Sequence, residues 1–103
     1  MFKGTITKGS QYRIDVTAAS ANRGATIVTI QWPGARGQSD VLIVAQGGAA
    51  AKSGKVPAGA ALLMIVVDIP TGSASASIHV ADNRGTSVRD VVRKDQRWTF
   101  AVQ

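Results

Sequence analysis

A period of two runs through most of this chain. Tyr12, Ile14, Val16 and Ala18 alternate with Arg13, Asp15 and Thr17; Ala74, Ala76, Ile78 and Val80 alternate with Ser75, Ser77 and His79; Trp98, Phe100 and Val102 alternate with Arg97 and Thr99. Successive strand residues point to opposite faces, so each segment reads as a strand with one apolar and one wet side. Two segments depart from this by being apolar on both sides: Leu-Leu-Met-Ile-Val-Val at 62–67 and the shorter run at 41–45. Such strands are expected to be buried on both faces, inside a sandwich or beneath a second subunit.

The remaining segments fit the same class. Residues 2–8 read as a first strand ending at a Gly9-Ser10 turn, with Phe2 inward. Val28, Ile30 and Trp32 share one face of a third strand that Pro33-Gly34 and Arg36-Gly37 terminate. Residues 49–59 are small, polar and glycine-containing, and read as a loop. Pro70-Thr71-Gly72-Ser73 is expected to turn the strand at 60–69 into the one at 74–80 as a hairpin. Val88, Val91 and Val92 recur at helical spacing, but three β-branched residues so close together favour a short strand or bulged connection. Glu is absent and Leu scarce, which removes good helix formers. The expectation is an all-β, single-domain antiparallel β-sandwich or jelly-roll-like fold of seven to eight strands over residues 1–103. A chain of that length buries roughly 65% of its unfolded surface, enough for one core without staples.

Catalytic constellations are sparse. There is one histidine, His79, no cysteine and no Glu, and the six acidic residues are all Asp. His79 shares its strand face with Ser75 and Ser77, which makes a polar sheet surface more readily than a triad. Asp68 and Asp82 have no spacing that marks a glycosidase pair. Asp82-Asn83 reads as a turn cap rather than a calcium ligand, and no zinc spacing or phosphate-cradling glycine motif is present. No catalytic residue, cofactor or metal is therefore expected, and the chain is read as a non-enzyme. The lack of cysteine assigns no compartment. The longest apolar stretch, residues 58–67, is about half of a membrane span, so no membrane insertion is expected. The N-terminus alternates as a strand does and does not resemble a signal peptide.

Charge is the compositional extreme: twelve Lys and Arg against six Asp give a formal +6. A balance of this kind attracts acidic partners such as nucleic acid, anionic glycans or lipid headgroups without choosing among them. Arg84, Arg89, Arg93, Lys94 and Arg97 crowd the C-terminal part, where they form either a phosphate- or sulfate-binding ridge or a solvated sheet edge with Asp90 and Asp95 interleaved. Ala21-Asn22-Arg23-Gly24 and Asp82-Asn83-Arg84-Gly85 echo one another, which ordinary Asn/Gly turn chemistry explains more simply than duplication. The loop-tip candidates for ligand binding are Arg23, Arg36 and Arg84, with Arg89, Arg93, Lys94 and Arg97 as the basic stretch.

These features predict a non-catalytic binding module recognising a protein or anionic glycan through its loops. Self-association is expected to cover the two-sided strands, unless the loop at 49–59 folds over them. Two alternatives stand beside it: a basic OB-like barrel binding nucleic acid through residues 84–97, with few rings exposed for base stacking, and a structural subunit of a larger assembly.

Overall fold

The computed structural model describes residues 1–20, 23–69, 75–94 and 96–103. The proposed turn at Pro70 to Ser73, half of the Asn-Arg-Gly echo (Ala21 and Asn22) and Asp95 lie outside them. Nine strands are present among the described residues: β1 (Phe2–Ile6), β2 (Gln11–Ala18), β3 (Thr26–Gln31), β4 (Ser39–Val44), β5 (Ala49–Lys55), β6 (Leu62–Asp68), β7 (Ser75–Asp82), β8 (Ser87–Arg93) and β9 (Arg97–Val102). They form a β-sandwich of a five-stranded sheet, β1-β9-β6-β3-β4, and a four-stranded sheet, β5-β2-β7-β8. Every pairing is antiparallel except β1 with β9, which is parallel.

The period of two becomes the core. Ile14, Val16, Ile78 and Val80 from one sheet meet Val28, Ile30, Leu63, Ile65, Trp98 and Phe100 from the other, all buried. Tyr12 and Trp32 pack with ring centroids 5.0 Å apart, and Trp98 meets Phe100 edge-on at 6.4 Å. The segment containing Val88 and Val92 is strand β8, with both of these valines turned inward and Val91 turned out.

Four expectations are corrected. Residues 49–55 are not loop but β5, paired along the whole of β2 from Gln11↔Lys55 to Thr17↔Ala49. Its residues have poor strand propensity, and ladder pairing overrides that. Gly54 belongs there because Tyr12 lies over it: a Cβ at this position would stand 3.4 Å from the Tyr12 hydroxyl. Second, β6 and β7 do not form a hairpin but lie in different sheets, because their apolar faces oppose each other across the core instead of sitting side by side. Third, the two-sided strands are buried on one face only. Leu63, Ile65 and Val67 are buried while Leu62, Met64 and Val66 are half-buried, and on β4 Val41 and Ile43 are 56% and 70% exposed. Fourth, Phe2 is 67% exposed. The β1 register slips between Phe2 and Gly4, where Gly4 takes φ +147°. Such a slip exchanges the two faces, so Lys3 turns toward the core edge and Phe2 turns out.

The nine strands alternate in direction, which places the connections in two groups. At one end lie residues 7–10, 32–38, 56–61, 82–86 and the C-terminus, tied together by backbone hydrogen bonds from Lys8 to Gln103 (2.8 Å), Val56 to Ser10 (2.9 Å), Ala61 to Pro33 (2.8 Å) and Asn83 to Gln11 (3.0 Å). At the other end, Ala18 donates to Gly48 (2.9 Å) and Ala19 to Ser75 (3.2 Å).

Candidate functional site

The seven basic positions singled out from the sequence are all exposed, and the fold separates them. Arg36 and Arg84 stand on connections at one end, Arg23 and Lys94 at the other. Arg89 and Arg93 point outward from the edge strand β8 of the four-stranded sheet. Arg97 points outward from β9 on the opposite sheet, beside Val66. The stretch 84–97 is therefore divided between one end and both outer faces of the sandwich, because β8 and β9 belong to different sheets.

The structure assembles a different group. On the outer face of the four-stranded sheet the register aligns Ala51, Asp15, His79 and Arg89 across β5, β2, β7 and β8. The rows beside it are Ser53, Arg13, Ala81 and Ser87 on one side and Ala49, Thr17, Ser77 and Val91 on the other. The Arg13 Nε–H reaches both Asp15 carboxylate oxygens at 3.0 Å. His79 is held at both ring nitrogens: Nε2 lies 2.8 Å from Ser87 Oγ and Nδ1 lies 3.4 Å from Arg89 Nη2. A guanidinium only donates, so the Arg89 contact uses Nδ1 as the acceptor, the arrangement that leaves Nε2 facing the Ser87 hydroxyl.

A shallow depression of about 250 Å³ opens here, lined by Asp15, Thr17, Ser77, Ile78, His79 and Arg89. A second of about 290 Å³, lined by Arg13, Asp15, Thr17 and the alanines of β5, adjoins it. The sequence marked Asp15, Ser77 and His79 as outward strand residues. It carried no signal that β2, β7 and β8 would be neighbours, which is what brings them into one row.

Asp82 performs the capping role its turn suggested. Its carboxylate accepts the backbone N–H groups of Thr7 (2.8 Å), Arg84 (2.8 Å) and Thr86 (3.0 Å). Partial burial works to raise its pKa, but these donors outweigh that and hold it down at about 2. Asp68 lies on the outer face of the five-stranded sheet, opposite Ile27 in register, whereas Asp82 ends a strand of the other sheet. Among the described residues no three His, Cys, Asp or Glu side chains converge as metal ligands. Among the described residues no helix is long and apolar enough to cross a membrane.

The other broad surface mixes exposed apolar residues with polar ones. On the outer face of the five-stranded sheet, Ile43 pairs in register with Ile27, and Val41, Thr29, Val66 and Arg97 form the next row. Ser39, Gln31, Met64, Thr99 and Phe2 form the row after that. Ile27, Val41, Ile43 and Phe2 are 40%, 56%, 70% and 67% exposed. The chain matches no protein-family model and no curated protein sequence.

Proposed function

We propose that this protein is a non-catalytic interaction module that self-associates through the outer face of its five-stranded sheet. One observation carries the reading: Ile27, Val41 and Ile43 stand exposed beside the half-buried Met64 and Val66 on a face that no other described segment of the chain covers. The segment that could have covered it, residues 49–55, is a strand of the other sheet. Contiguous exposed apolar surface of this kind marks an association site.

A second copy is a suitable occupant. Five strands spaced about 4.8 Å apart and five to seven residues long make a sheet face of roughly 24 by 20 Å, which after side-chain relief approaches the lower range of a stable interface. The two charges on this face, Asp68 and Arg97, are of opposite sign, so a two-fold arrangement can set each against its counterpart in the other copy. The formal +6 is carried mainly elsewhere and does not block the approach.

Light scattering over a range of concentrations tests this. The reading expects a discrete dimer mass that dissociates on dilution, and a monomer at all concentrations for Ile43→Lys, whose unfolding midpoint equals that of the wild type at dilutions where the wild type is monomeric. A wild-type chain that stays monomeric, or an Ile43→Lys variant that associates as the wild type does, overturns it.

A further inference from the structure

The polar face of the four-stranded sheet carries a different kind of site. We propose that the trough over β2 and β7 binds one acidic sugar unit of a glycan, with Arg89 taking the acid group and Asp15 accepting sugar hydroxyls. This site lies on the opposite sheet from the self-association face and does not depend on that reading.

Four observations converge. The first is shape: the two adjoining depressions share Asp15 and Thr17 and so form one trough. Its floor is made of short side chains, Ala49, Ala51, Thr17 and Ser77, and its walls of long ones, Arg13, His79 and Arg89. The second is preorganisation. Ser87 lies 2.8 Å from the His79 ring, and His79 Nδ1 lies 3.4 Å from one nitrogen of the Arg89 guanidinium, which inclines the remaining Arg89 donors toward the trough and lowers the freedom lost on binding. Among the described residues Arg89 has no carboxylate partner, and a planar guanidinium suits a two-oxygen acid group.

The third is mixed polarity. Asp15, clamped by Arg13 at 3.0 Å, would repel a bare polyanion but offers acceptors to hydroxyl groups, and the Ser77 and Thr17 hydroxyls add both donors and acceptors. A ligand with one acid group and several hydroxyls matches this set. The fourth is what the face lacks. Tyr12, Trp32, Trp98 and Phe100 are all buried, so among the described residues the imidazole of His79 is the one ring lining the trough, and no Phe, Tyr or Trp face is offered to a base or an uncharged sugar. That favours an acidic sugar over single-stranded nucleic acid.

The experiment is titration calorimetry with matched probes, tetragalacturonate against its full methyl ester and galactose 6-sulfate against galactose, with amide chemical shifts followed in parallel. The proposal expects at least one acidic probe to bind about tenfold or more tightly than its neutral match, with shifts centred on Thr17, Ser77 and His79. The carboxylated and sulfated arms then identify which acid the glycan carries. Arg89→Ala removes the preference, Arg89→Lys retains part of it, and Arg36→Ala, at the end of the sandwich, leaves it unchanged. Ile43→Lys also leaves it unchanged, which separates this site from self-association. Failure of both acidic probes to bind, equal binding of acidic and neutral forms, equal losses in Arg36→Ala and Arg89→Ala, or equally tight binding of oligothymidylate overturns the proposal.

Discussion

The Lys3 ammonium lies 4.6 Å from the centroid of the Trp98 ring and 2.9 Å from the Asp90 carboxylate. One lysine thereby closes the edge where β1 of one sheet meets β8 of the other. Its side chain is only 15% exposed, and it occupies this place because the slip at Gly4 turns it inward. The Asp90 carboxyl is held below its ordinary pKa, chiefly by the Lys3 hydrogen bond.

Lys3→Ala is expected to lower stability by about 1–2 kcal/mol, from the lost ring contact and the lost stem packing over Trp98. Asp90→Asn removes only an exposed, solvent-screened ion pair and is expected to cost less than Lys3→Ala. Urea unfolding followed by tryptophan fluorescence compares the two, and an Asp90→Asn cost equal to that of Lys3→Ala would assign the effect to the ion pair instead.

Asp82 gives a pH dependence of known sign. Its folded pKa, about 2, lies below that of the unfolded chain, so its contribution is complete above about pH 4 and is lost as the pH falls through 2. Allowing for solvent screening, the contribution is about 1–2 kcal/mol. Asp82→Asn should be less stable at pH 6 by about this amount and should show a flatter decline between pH 4 and 2. Parallel wild-type and variant curves over that interval would contradict the capping role.

Gly34 and Gly37 sit on the same connection and separate conformational strain from close approach. Both have positive φ, +95° and +72°, but a Cβ on Gly34 would stand 2.6 Å from the Gly59 carbonyl oxygen while one on Gly37 meets nothing within 4 Å. Gly37→Ala is expected to cost about 1 kcal/mol, and Gly34→Ala about 2–4 kcal/mol because the neighbouring connection must also shift. Equal thermal midpoints for the two variants would show that the connections are not held together there.

The class of fold was legible because inward residues such as Ile14, Ile78 and Phe100 repeat at a period of two that needs no knowledge of partners. Strand β5 was not, since Ala49, Ala51 and Gly54 have weak strand propensity and are held by the β2 edge. The inward turn of Lys3 depends on a bulge that alternation alone places on the wrong side. The candidate site was legible least. Asp15 is far along the chain from His79 and Arg89, and only the order β2-β7-β8 makes the three neighbours. The basic residues that sequence proximity grouped, Arg93 and Arg97 among them, are divided by the passage from one sheet to the other.

Side-chain footprinting with a photoactivated carbene, at dilute and concentrated protein, tests the self-association face most directly. The expected result is that labelling of Val41, Ile43 and Met64 falls at high concentration while that of Val91, on the outer face of the other sheet, does not change. Equal labelling of Val41, Ile43 and Met64 at both concentrations, or protection of Val91 in their place, would contradict it.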